Sequence, residues 1–348
     1  MYRISSAYVT HVALYLLFAL LTYFLWCDIT FFSQLADERT HLLASNKTNI
    51  ASKFSVKLRM LPPLDHYVYL PFCRWANKYL GISEIPGMCP NVVTFLHFVV
   101  AACCGRLFAS NSLFYRRLAC IAFEVRSCLD VLDGVIYRAQ SKSKTFVSGW
   151  GSSGYIIDGV ADVFGSMFIV LGIIYRYNKN PPLKEWSTMS IRRKFVNADD
   201  AESGIKLLST GNEKTKNGAV SQPGSKRHTR KYAIGLCVFV ALTMVVRSKM
   251  WDHFTQTYHR LLSVSRSDIS PRQQMEALNY RSTWFCMWMW RLNSADAFLS
   301  LTLVIIFFDK LWKGIKISAY ATLPNLFLVG SFSQLHVYYL ENCLGLKE

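Results

Sequence analysis

At 348 residues, with 52% hydrophobic and 14% aromatic side chains, the chain is too apolar for an ordinary soluble domain and long enough for several membrane crossings. Its formal charge of +17 does not argue for nucleic acid, because the basic residues gather in loops beside apolar runs, where they set topology and meet anionic lipid. The ten cysteines contain no C-x-x-C pair, which argues against a thiolate zinc site and a dithiol redox site.

In chain order, Arg3 precedes an apolar run over Val9–Cys27 that is longer than a signal-peptide core and has no convincing cleavage site after it. Residues 1–27 are therefore expected to be a cytosolic N-terminus and an uncleaved signal anchor. Residues 28–90 are mixed and polar, and carry one glycosylation acceptor pattern at Asn46-Lys47-Thr48. Within them, His66–Ile82 is aromatic and edged by Arg74 and Lys78, the composition of a segment lying in the membrane interface. Cys73 and Cys89 are a candidate disulfide if this segment is luminal.

Residues 91–175 hold spans expected at Val92–Leu107, Leu113–Val131 and Gly154–Tyr175. Cys103, Cys104, Cys120 and Cys128 fall here and, with Cys237 further on, read as small packing residues. Residues 176–231 form a polar loop with thirteen Lys or Arg. Residues 232–348 supply spans at Tyr232–Val246, Ser294–Phe308 and Ile317–Tyr339, with Trp284, Trp288 and Trp290 expected in an interfacial belt.

Seven spans with the N-terminus in the cytosol place 28–90 in the lumen, 176–231 in the cytosol and Glu341–Glu348 in the lumen. The loop richest in Lys and Arg then falls on the cytosolic side, as the positive-inside rule requires.

Acidic side chains at membrane depth are costly and so are functional candidates. Asp130 and Asp133 end one expected span, while Asp158 and Asp162 begin the next. Spacings of three and four put each pair on one helix face, and a short connection makes the helices antiparallel neighbours. Four converging carboxylates repel one another unless a cation lies between them, and an all-oxygen donor set selects magnesium or manganese. Gly134 and Gly154 would let the backbone approach an anionic ligand, and Arg138 is placed to reach a phosphate. Arg126 is expected to pair with Asp130 at i,i+4, and His97 to be a satisfied core histidine.

These residues resemble the CDP-alcohol phosphotransferase signature D-x2-D-G-x2-A-R followed by G-x3-D-x3-D. The chain reads Asp130-Val-Leu-Asp133-Gly134-Val-Ile-Tyr137-Arg138, then Gly154-Tyr-Ile-Ile-Asp158-Gly-Val-Ala-Asp162. Pro90-Asn91-Val-Val-Thr94 is similar to the opening of the family's first core helix. Tyr137 replaces the usual alanine, and the fifteen residues between Arg138 and Gly154 stretch the usual gap. Both departures resemble the branch of ceramide phosphoethanolamine synthases. Gly159 stands where glycerolipid choline and ethanolamine phosphotransferases carry a histidine base.

The resemblance implies an all-α polytopic membrane fold, a six-helix core plus one N-terminal signal anchor. It implies two divalent cations, Mn2+ or Mg2+, held by Asp130, Asp133, Asp158 and Asp162, with Asp162 as general base. Gly134, Arg138, Gly154, Asn91 and Thr94 would then meet the nucleotide donor. The partners implied are CDP-ethanolamine, ceramide and the lipid bilayer, without nucleic acid and with a homodimer left open. The added anchor would reverse the core relative to common members and turn the site toward the Golgi lumen. Diacylglycerol as acceptor is the alternative within the class, and a transporter or scaffold the alternative outside it.

Overall fold

A computed structural model describes residues 6–45, 56–141, 153–182, 223–264 and 269–346. Asn46 and most of the basic 176–231 loop lie outside the described residues. The elements are α1 (Ser6–Ser45), α2 (Val56–Met60), a π-helical turn (Asp65–Tyr69), α3 (Leu70–Leu80), α4 (Pro90–Phe108), α5 (Leu113–Gln140) and α6 (Ser153–Lys179). They continue with α7 (Pro223–Leu262), α8 (Pro271–Leu278), α9 (Arg281–Asn293), α10 (Ala295–Phe307) and α11 (Leu311–Cys343). The chain is an all-α, multi-pass membrane protein.

Each of the seven expected spans falls on a helix. Four are both long and apolar enough to cross a bilayer: His11–Gln34, Pro90–Phe108, Ile156–Lys179 and Thr229–Leu262. Helices α9 and α10 make a fifth when taken as one span bent by 44°. The bend has a local cause. Ser294 breaks the helix and caps α10 by accepting from the Ala297 amide at 3.1 Å, while buried Arg247 donates to the Asn293 carbonyl at 3.0 Å. Helix α5 is long enough to cross but carries four basic and three acidic residues. Arg116, Arg126 and Asp133 are buried within the protein, so this helix is polar toward its neighbours.

Helix α4 is the centre of the functional half and packs against both α5 and α6. Its crossing with α6 depends on two glycines. A Cβ on Gly172 would lie 2.4 Å from the Gly105 carbonyl oxygen, and a Cβ on Gly105 would lie 2.7 Å from the Phe168 carbonyl oxygen. Small residues let membrane helices approach this closely and gain packing energy that apolar contact alone does not supply in lipid. Cys104, Phe108, Cys120, Phe123, Ile169 and Leu303 fill the space among α4, α5, α6 and α10.

Helix α7 runs 40 residues, about 60 Å, roughly twice the hydrocarbon thickness. Its far end stays helical because Phe254, Tyr258, Leu261 and Leu262 pack with Met60 of α2, Leu278 of α8 and Trp290 of α9. Trp290 departs from the expected belt: it is fully buried and donates to Ser333 Oγ of α11 at 2.8 Å. Trp288 donates instead to Asp28 of α1 at 3.1 Å. Both rings are drawn inward because α9 is enclosed by α2 and α11.

The 56–89 segment covers one end of the bundle. Helix α3 buries Leu70, Cys73 and Ala76 while Phe72, Arg74, Trp75 and Tyr79 stay exposed, an arrangement suited to a membrane interface. Gly81 ends it at φ +59, a backbone state that L side chains adopt at a cost. Cys73 faces Cys128 of α5, with the sulfurs 3.6 Å apart, and makes no bond to Cys89. The amphipathic turn of α3 directs Cys73 inward, while Cys89 precedes the first turn of α4.

Candidate metal centre

The site is built where the first turns of α4, the last turns of α5 and the first turns of α6 meet. On α4, Thr94 and His97 are three residues apart and both buried. Asp130 and Asp133 come from α5 and Asp158 from α6. His97, Asp130, Asp133 and Asp158 each offer one ligand atom, and these atoms all lie within 4.8 Å of one another.

The donor set fits a divalent cation. Ligand atoms about 2.1 Å from a shared octahedral ion are separated by about 3.0 to 4.2 Å, so the observed grouping needs only a small contraction. Asp130 Oδ1, Asp158 Oδ1 and both ring nitrogens of His97 are buried without a hydrogen-bond partner. Leaving such groups unsatisfied costs roughly 1–3 kcal/mol each, which a shared cation would relieve. Asp133 is oriented from α4, where Thr94 Oγ1 donates to its Oδ2 at 2.8 Å.

Asp162 stands outside this group of four and shares Arg126 with Asp130. Arg126, 3% exposed, donates to Asp162 Oδ1 and lies 3.9 Å from Asp130. The i,i+4 pair expected with Asp130 is thus present, and the closer contact runs across to α6. Arg138 folds back over its own helix, so a Cβ on Gly134 would meet its Nη1 at 3.2 Å. Gly154 is the second residue of α6, one turn before Asp158. Asn91 is exposed at the start of α4. A Cβ on Gly159 would meet nothing within 4 Å.

His97 is in the core as expected, fully buried, but unsatisfied: its Nε2 is 3.7 Å from Asp130 Oδ1, too long for a hydrogen bond.

Three further charged residues extend the electrostatic field of the site and escaped the sequence reading. Burial, then the carboxylates of Asp296, Asp130, Glu124 and Asp162, hold Asp65 well above the usual carboxylate range. Lys57 is lowered by burial and by Arg138, against the opposing pull of Asp158, Asp252 and Asp130. Asp296 sits in the first turn of α10, just past the bend. Glu124 accepts from Tyr69 of the π-turn, and Gln140 Nε2 donates to the Met88 carbonyl at 2.8 Å. Residues 56–89 therefore close over the same end of the bundle that holds the acids.

A sequence profile of the family described as ceramide phosphoethanolamine synthase matches residues 33–344. Over 305 residues the chain is 29% identical to the ceramide phosphoethanolamine synthase of Drosophila melanogaster, an alignment covering 87% of this chain and 72% of the fly protein. No solved structure matches it with significance. A profile match over most of the length, together with an acid cluster among the helices of a multi-pass protein, leads to one conclusion: the chain is an enzyme belonging to the ceramide phosphoethanolamine synthase family.

Proposed function

We propose that the chain transfers phosphoethanolamine from CDP-ethanolamine to the primary hydroxyl of ceramide and releases CMP. The convergence of Asp130, Asp133 and Asp158, with Oδ1 of Asp130 and of Asp158 buried and accepting no hydrogen bond, in a member of this family, is the observation that carries the reading. The three carboxylates would hold a divalent cation, Mn2+ or Mg2+, with Asp162 beside them for a second. The cation would supply charge neutralisation to the donor pyrophosphate and to the departing CMP oxygen.

The protein's own part is positioning and proton transfer. Asp162 takes the proton of the ceramide hydroxyl as that oxygen forms its bond to phosphorus and the bond to the CMP oxygen breaks. Arg126 fixes the Asp162 carboxylate from α5, so the base keeps its place as charge moves. Arg138 offsets phosphate charge near Gly134 and Gly154, and Asn91 stands at the mouth of α4. Thr94 acts through Asp133, which it orients.

The enzyme would work in the Golgi membrane with residues 56–89 and the acids both facing the lumen. Gln140, Glu124 and Cys128 tie that segment to α5, so the two share one side of the membrane. Mapping a glycan on Asn46 tests the side.

The activity is tested with purified full-length protein, labelled CDP-ethanolamine, and either ceramide or diacylglycerol. Labelled ceramide product and divalent-dependent CMP release are expected, with turnover lost in Asp133→Asn and in Asp162→Asn. Product on diacylglycerol alone would replace the acceptor, and full turnover in either variant would remove the mechanism.

A further inference from the structure

We infer that His97 is a nitrogen ligand of the divalent cation, completing a mixed donor set with Asp130, Asp133 and Asp158. The inference rests on the reading that these aspartates hold a cation, and it adds a ligand from a third helix that the acid motif does not contain.

Three observations support it. His97 is fully buried, and neither ring nitrogen has a hydrogen-bond partner. A structural histidine in a packed core normally donates one ring N–H to an acceptor, so its isolation needs an explanation. Second, the ring is aimed at the acids: Nε2 lies 3.7 Å from Asp130 Oδ1, an oxygen that is itself buried, accepts no hydrogen bond and has only the 3.9 Å ion pair with Arg126 beside it. The separation is too long for a hydrogen bond and falls within the range for two atoms bound to one ion. Third, His97 shares its helix face with Thr94, which orients Asp133, so α4 contributes to the centre at two successive turns.

The chemistry is reasonable for the donor set. Neutral imidazole is the commonest protein nitrogen ligand for divalent metals. It adds no charge, so the centre gains a donor without the repulsion a fourth carboxylate would bring. Asp162, held by Arg126 outside the group of four, is left to act on the substrate.

The test reads metal coordination directly. Full-length protein is purified in lipid nanodiscs, stripped with chelator and given one equivalent of Mn2+. Electron spin-echo modulation is then recorded on protein carrying natural-abundance or 15N-labelled histidine. Nitrogen modulation that changes frequency with the label is expected. It should vanish in His97→Gln, with Mn2+ binding weakened by about tenfold or more. His97→Asp, which restores an oxygen donor, should bind Mn2+ more tightly than His97→Gln while giving no nitrogen signal. Bound Mn2+ with no histidine nitrogen signal in the unaltered protein overturns the inference and leaves the aspartate centre standing. A nitrogen signal that persists in both variants assigns it to another histidine and also overturns it. No Mn2+ binding by the unaltered protein defeats both readings together.

Discussion

Thr94 on α4 holds Asp133 on α5, its Oγ1 donating to Oδ2 at 2.8 Å in a site where both side chains are buried. A hydroxyl in that position restricts the carboxylate to one orientation and sets which oxygen faces the other acids. Thr94→Val keeps the shape and removes the donor. Mn2+ affinity and turnover should each fall by about 10–100-fold, while Thr94→Ser retains most of both. Metal titration and steady-state assay of the two variants check this.

A cation bound among Asp130, Asp133 and Asp158 should stabilise the folded protein. At a free concentration about a hundred times its dissociation constant, the gain is about 2.7 kcal/mol. Thermal unfolding in detergent should shift upward with added Mn2+ and return on chelation. Asp133→Asn should show little shift, and an equal shift in that variant would place the cation elsewhere.

The crossing of α4 and α6 predicts a contrast between two glycines on one helix. Gly172→Ala drives a methyl group to 2.4 Å from the Gly105 carbonyl, which only separation of the helices relieves. A cost of about 1–3 kcal/mol follows, with loss of activity because α6 carries Asp158 and Asp162. Gly159→Ala enters open space and should change stability by no more than about 0.5 kcal/mol. Equal midpoints for the two variants would contradict this account of the crossing.

Helix α1 is attached by charge. Fully buried Arg291 of α9 lies 3.0 Å from Asp28 of α1, which is 5% exposed and also accepts from Tyr67 at 2.6 Å. Removing one partner leaves a buried charge uncompensated, at a cost of about 3–5 kcal/mol. Asp28→Leu and Arg291→Met should each lower the unfolding midpoint sharply, and the double variant should recover a large part of the loss. Additive losses in the double variant would show that the pair does not couple.

How much of the site was legible depended on whether its parts lay on one helix. Asp130 with Asp133, and Asp158 with Asp162, could be placed on shared faces because helical spacing is periodic and intramembrane acids are rare. His97 could not be assigned in that way. A single histidine in an apolar run carries no local sign of what it faces, and only the packing of α4 against α5 brought it to Asp130. Arg126 shows the same limit: its i,i+4 partner Asp130 was foreseeable, whereas its closer contact with Asp162 crosses to another helix.

The sequence alone determined that the chain is helical, membrane-embedded and equipped with four acids on two consecutive helices, because hydropathy, spacing and charge at membrane depth are local properties. The tertiary structure decided which side chains meet: Thr94 with Asp133, His97 with Asp130, Arg126 with Asp162, and Asp28 with Arg291. It also moved Trp290 from the expected lipid interface into the core. Contacts between helices follow from how closely backbones approach and how each helix is rotated, and both are set by packing at positions such as Gly105 and Gly172, two to four turns along α4 and α6 from the His97 and Asp158 that they bring together.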